Sequence, residues 1–390
     1  MLSDLPNAKW LAAGKQVILK DDFRFIEEAI LEGGGQSGPV ISPVWVDAAT
    51  MRVEANADCS ASMMFSGIPN VLNPDVQVDG GLTDKKIRSN YNNVSMIFGA
   101  GGCWGIEKIS QLYAIFAIAA SADTTFTLKA MPFMTVNSQA GQVIGLGTLL
   151  VPATGIGYGF STDELAGGKL YVLSGASRGL IRTITTNNND NGTGGTITYS
   201  GAALTLAQSD LFIVLPPEVN FRYLGCCFND ASGNIINANS GANSADFMAA
   251  GTFLWIILSP VKSVSAYGEG GGGGGGGGDN VSLPGGKGKG ARAFLHPINY
   301  TPGNLLTIIV GAGGAGGYVG SNGSGGNPTS LNGETIGIAG DGGTCGAYTD
   351  GINGLPTPVL APNAGYGGDG SLYFTSGGLP GNAGLLFLRW

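Results

Sequence analysis

Nine consecutive glycines, Gly270–Gly278, limit what this chain can fold into more than any other feature. A run without side chains contributes nothing to a hydrophobic core. It is either a flexible linker or part of an arrangement in which backbones pack directly on backbones. The tract opens a segment, residues 268–390, that holds 40 of the chain's 70 glycines. Later blocks are Gly311–Gly317, Gly323–Gly326, Gly340–Gly343, Gly365–Gly370 and Gly377-Gly378. No strict Gly-X-Y repeat runs through them, which excludes a collagen triple helix. Each glycine costs roughly 0.5–1 kcal/mol more than alanine to fix, so the segment's glycines together cost roughly 20–40 kcal/mol. The runs Leu305–Val310, Ile336–Ile338 and Leu385–Trp390 nevertheless interleave with the blocks and want burial, which a disordered tail would lack. Standing last in the sequence, the segment also has nothing to link. These features predict an ordered stack of extended, laterally hydrogen-bonded glycine strands, capped by the apolar runs.

The rest of the composition agrees with a turn-rich β protein. Of 390 residues, 43% are hydrophobic and only 12% charged, enough for real cores but unlike a helical enzyme. A net charge of −8 argues against sequence-independent binding to nucleic acid or to an anionic membrane. The basic clusters Lys85–Arg88 and Lys287–Arg292 read as solvated loops. Five cysteines, an odd number with Cys226 and Cys227 adjacent and no C-x-x-C, read as reduced thiols of a protein assembled in a cytoplasm. The first ten residues lack the apolar stretch of a secretory signal, and no apolar run reaches membrane-spanning length.

Three regions follow. Residues 1–35 contain the best helical pattern, Asp21–Glu32, with acids at its start and Gly33–Gly35 at its end. Phe23, Ile26 and Ile30 share a face, and with Trp10 they are the expected docking or oligomerisation residues. Residues 36–250, with a possible break near 150, read as a β-rich body. Strands are expected at Leu170–Leu173, Gly179–Thr185, Gly195–Tyr199, Ala203–Leu206 and Leu211–Leu215, with a turn at Asn187–Gly192. Gln111–Ala119 could be a buried helix, but its aromatic and β-branched content favours a strand. Residues 251–390 form the glycine-rich tip, led in by one or two strands across 251–267. The expected fold class is therefore mostly β: a short N-terminal helix, a sandwich or barrel-like body, and a glycine-rich domain of polyproline or polyglycine II type.

Chemical motifs are scarce. Leu306–Val310 followed by Gly311-Ala-Gly313-Gly-Ala-Gly316 matches a strand plus G-x-G-x-x-G. The helix that would face a pyrophosphate is missing, because Tyr318–Pro328 cannot form one. A single histidine, His296, leaves no room for a His-rich metal site, and neither a G-x-S-x-G elbow nor a P-loop occurs. No catalytic residue, metal or cofactor is expected.

In its last third the chain resembles the glycine-rich tips of phage tail fibres and adhesins. The residues carrying the likeness are Val264–Gly270 running into polyglycine, Asn299–Gly317, Gly325–Ser330, Gly340–Gly343 and Gly381–Trp390. The insertion 345–363 departs from the pattern. The stretch Gly155–Arg178 is similar to segments of other phage structural proteins. The resemblance implies a virion protein, usually a homotrimer. Its N-terminus would meet other tail proteins, and its tip would bind a host surface polysaccharide or outer-membrane protein without catalysis. The candidate contacts it implies are the bulky residues between glycine blocks: Phe294, His296, Tyr300, Tyr318, Tyr348, Leu355, Tyr366, Tyr373 and Phe374. A purely structural role in baseplate, collar or head decoration is the alternative, and a polysaccharide depolymerase a more remote one.

Overall fold

The computed structural model describes residues 43–55, 61–65, 67–72, 77–78, 87–136, 148–150, 158–188, 195–217, 220–235, 244–258, 264–279, 292–301, 303–345 and 377–389. All belong to one compact unit, Ile41–Trp390. The expected helix Asp21–Glu32, with Trp10, Phe23, Ile26 and Ile30, lies outside the described residues. Those that are described are mostly β, and the one helical element among them is the 3-10 turn Phe98–Ala100.

Gln111–Ala119 is a strand, and its packing explains why its sequence looked ambiguous. It sits in the middle of a three-stranded antiparallel sheet, between Asn220–Asn229 and Thr127–Pro132. Successive side chains point to opposite faces of a strand. Leu112, Ala114 and Phe116 enter the larger core, whereas Tyr113, Ile115 and Ala117 enter a second, smaller one with Met51, Val53, Met96 and Phe98. Both faces are buried, so the run is continuously apolar instead of alternating. The same alternation separates Cys226, in the first core, from Cys227, in the second. Burial pushes the Cys226 thiol up to about 12, and the four described cysteines are all free.

A six-stranded antiparallel sheet makes up much of the larger core, in the order Met134–Thr135, Leu211–Leu215, Lys169–Val172, Ile181–Asn187, Thr196–Tyr199, Thr148–Leu150. Four of the strands expected in this region are present. The fifth, Ala203–Leu206, is not a strand. Its backbone takes side-chain partners instead: Leu204 N–H donates to the Tyr199 hydroxyl (3.2 Å) and Thr205 N–H to Ser177 Oγ (2.7 Å). Leu204 is buried from a loop by those two bonds, so the apolar pattern predicted burial correctly and the ladder wrongly.

The last sheet has eight antiparallel strands, ordered Ser244–Phe247, Leu385–Arg389, Val264–Glu269, Arg292–Ile298, Glu334–Ile338, Thr329–Leu331, Leu305–Val310, Gly251–Ile256. Its two outermost strands are joined by only residues 248–250, so the sheet curls until they approach. Phe247 meets Phe253 and Trp255 across that gap at centroid distances of 5.3 Å each. One core runs from this sheet into the body, with Phe228 against Phe253 and the Cys226 thiol donating to the Ile256 carbonyl.

Candidate functional site

Five chain segments leave or enter the eight-stranded sheet at one end: 270–279 after Glu269, 311–320 after Val310, 321–328 before Thr329, 339–345 after Ile338, and 377–384 before Leu385. None is a β-strand, yet their backbones are hydrogen-bonded to one another. The tract Gly270–Gly278 lies at the centre, buried along its whole length.

Its bonding repeats every three residues. Gly271, Gly274 and Gly277 donate to Asn327, Ser324 and Ser321 of one neighbour, while Gly272 and Gly275 donate to Asn382 and Leu379 of another. The carbonyls of Gly272, Gly275 and Gly278 accept from Gly314, Gly317 and Gly320, and those of Gly271 and Gly274 from Gly340 and Gly343. These bonds measure 2.7–3.0 Å. The outer segments also bond to each other, as in Ser324 to Ala315, Gly326 to Gly340 and Gly381 to Gly314.

Space, not backbone conformation, makes glycine obligatory here. None of Gly270–Gly278 has a positive φ. A Cβ on Gly274 would lie 2.0 Å from the Ala315 carbonyl oxygen, and one on Gly273 1.9 Å from that of Asp341. In the outer segments the inward-facing positions recur every third residue: Gly311, Gly314 and Gly317, then Gly323 and Gly326, Gly340 and Gly343, and Gly378, Gly381 and Gly384. This also disposes of the nucleotide-binding look-alike. Within that loop the Gly311 and Gly314 amides already donate to Thr329 Oγ1 and Gly272, and Gly313 and Gly316 are packed against the Gly381 and Gly378 carbonyls, which leaves no cradle for phosphate.

At the far end from the sheet the array closes with the turn Tyr318–Ser321, where Ser321 N–H donates to the Tyr318 carbonyl (2.8 Å) and Gly320 has φ +80° in open space. Asn322 Oδ1 accepts the Cys345 amide at 2.7 Å, and the Cys345 thiol donates to the Gly278 carbonyl, which ties three segments together there. The Tyr318 side chain is 85% exposed, with Val319 and Leu379 also exposed. Leu379 belongs to the segment beside Tyr318, since Gly378 bonds to Gly317.

The nine candidate contact residues do not assemble into one site among the described residues. Tyr318 is at the distal turn. Tyr300 is at the opposite end of the eight-stranded sheet, where Ile256 pairs with Leu305. Its hydroxyl accepts Ile257 N–H (2.9 Å) and donates to the Asn304 carbonyl (2.6 Å), and burial holds it well above the usual tyrosine range. Those bonds give Tyr300 a structural task, stitching two strand ends together. Phe294 and His296 stand within the sheet, their backbones paired with Gly268 and Ala266. Tyr348, Leu355, Tyr366, Tyr373 and Phe374 lie outside the described residues. Val319 and Leu379 carry no signal of their own in the sequence, whereas the inward glycines are marked by the three-residue spacing inside each block. No protein-family model matches the chain, and no curated protein is significantly similar to it.

Proposed function

We propose that this chain is a non-catalytic attachment protein of a phage virion, with a polyglycine II-type sandwich holding a recognition surface away from the body. The observation that supports this reading most is the array itself. Its central tract is wholly buried, its bonding repeats in threes as in polyproline II-type helices, and it ends in a turn that exposes Tyr318 and Val319 beside the exposed Leu379 of the neighbouring segment. A stack fixed by backbone hydrogen bonds is a rigid platform, and an exposed aromatic on a rigid platform anchors a partner with little ordering cost. The partner in this reading is a host surface polysaccharide or an outer-membrane protein. Several copies per particle, as in a homotrimer joined to other tail proteins through the N-terminus, multiply weak contacts into firm adsorption.

The test is adsorption. Particles whose copy of the chain carries Tyr318→Ala, Val319→Ala and Leu379→Ala together, all at exposed positions, are expected to assemble normally and adsorb poorly. Tyr318→Ala is expected to weaken single-copy binding to host cells about tenfold, the ordinary consequence of truncating an interface aromatic. Normal adsorption by the triple-variant particles would favour a purely structural role in the virion.

A further inference from the structure

Two Asn-Gly pairs stand among the described residues: Asn322-Gly323 at the distal end of the array, and Asn332-Gly333 in the turn between Thr329–Leu331 and Glu334–Ile338. Both asparagines are exposed, and the Oδ1 of each accepts a backbone N–H, from Cys345 at 2.7 Å for Asn322 and from Thr307 at 2.8 Å for Asn332. An Asn-Gly pair is open to a spontaneous reaction. The glycine amide nitrogen attacks the asparagine Cγ, the new N–Cγ bond closes a cyclic imide, and the Cγ–Nδ2 bond breaks, the amide proton leaving with the ammonia. Water then opens the imide at either carbonyl and leaves aspartate or isoaspartate.

Negative charge gathers on Oδ1 during the attack, and an N–H already aimed at that oxygen stabilises it. In this respect the two pairs are equal. They differ at the nucleophile. Gly323 N–H is committed to the Gly343 carbonyl at 2.9 Å, and a Cβ on Gly323 would lie 2.2 Å from the Gly274 carbonyl oxygen, so this backbone has no room to turn. Gly333 N–H has no acceptor among the described residues. The residue is exposed, and a Cβ built on it would meet nothing within 4 Å.

We infer that Asn332 is a site of spontaneous deamidation in the folded protein, and that the glycine array holds Asn322 inert. The product matters because of what depends on this turn. Asn332 is tied to the neighbouring strand by two bonds to Thr307: its own N–H donates to the Thr307 carbonyl at 2.7 Å, and its Oδ1 accepts the Thr307 N–H. Isoaspartate adds a methylene to the backbone of a two-residue turn, which cannot then keep both bonds and the pairing of Leu331 with Glu334. At the other end of the same short strand, Thr329 Oγ1 accepts Gly311 N–H and donates to the Glu269 carbonyl, fixing two segments of the array to the sheet. Deamidation at the turn therefore loosens the root of the array. It quickens with rising pH, since the attacking amide must lose its proton. The inference holds whatever the array binds.

The test is to age the intact, folded chain at mildly alkaline pH and map its peptides by mass spectrometry, with isoaspartate identified by electron-transfer fragmentation. Asn332 is expected to convert roughly tenfold or more faster than Asn322, whose glycine must first break a hydrogen bond and leave a packed site. Equal rates, or a faster Asn322, overturn the inference. In denaturant the two should react at similar rates; a preference for Asn332 that survives unfolding belongs to the neighbouring residues instead of the fold and overturns it as well. Amide exchange should show protection lost at Gly311 in the isoaspartyl fraction and kept in Asn332→Asp, which retains an acceptor for Thr307 and the normal backbone length. The same protection in both overturns the link between turn and root.

Discussion

The strand Gln111–Ala119 and the tract Gly270–Gly278 each run nine residues through the middle of their surroundings, and they achieve burial by opposite means. The strand bonds laterally to two neighbours only and fills the space above and below with side chains such as Phe116, which meets Phe221 edge-on at 5.5 Å. The tract has no side chains to fill space with, so other backbones come in from several directions. Among the described residues it donates five backbone bonds and accepts five, to four separate segments. Hydrophobic transfer holds the first region together. In the second, a net gain of about 0.5–1.5 kcal/mol per hydrogen bond must offset the ordering of glycine. One region tolerates loss of volume badly, the other gain of volume.

The comparison can be broken from either side. The largest expected effect is Phe116→Ala, which empties a fully buried site and should cost about 3–5 kcal/mol, read as a lowered midpoint in denaturant. Gly274→Ala comes next. Its one added methyl overlaps the Ala315 carbonyl, and an overpacking cost of about 1–3 kcal/mol should appear as lost amide protection across Gly271–Gly278 with the body's near-UV dichroism unchanged. Retained protection would show that the segments can spread apart, and the close-packing account would be wrong. The smallest effect is expected from the same substitution at Gly325, whose Cβ would find its nearest neighbour at 3.4 Å, the Gly340 carbonyl oxygen. Thermal stability should stay within about 0.5 kcal/mol of wild type. Similar losses at Gly274 and Gly325 would mean that glycine matters here for flexibility instead of for space.

Much of the β architecture was legible in the residues. Leu211–Leu215 and Gln111–Ala119 declare themselves by composition, and Asn332-Gly333 announces the tight turn between Thr329–Leu331 and Glu334–Ile338, with both residues at positive φ. Ala203–Leu206 was misread because an apolar pattern reports burial and is silent on where the backbone finds its partners. The glycine segments were harder for a different reason. Their period of three is strict only inside each block, because the intervening strands reset its phase across residues 268–390. Tyr300 illustrates the limit on reading a site: an aromatic between glycine blocks can serve the surface or the frame. Only the Ile257 and Asn304 bonds distinguish the two.

The uniformity of the central tract has a consequence for how such a protein can change length. Nine identical residues carry no internal register, so an inserted glycine slides along the axis and emerges beyond Asp279, leaving every interior contact with an equivalent partner. The outer segments lack that freedom. A single insertion after Gly311 would shift Ala312 and Ala315 into the places of Gly313 and Gly316, where a methyl would overlap the Gly381 and Gly378 carbonyl oxygens. Only additions of three restore the pattern. The core of the array is thus free to drift in length while its walls can grow only in whole turns, so variation is channelled toward the distal end.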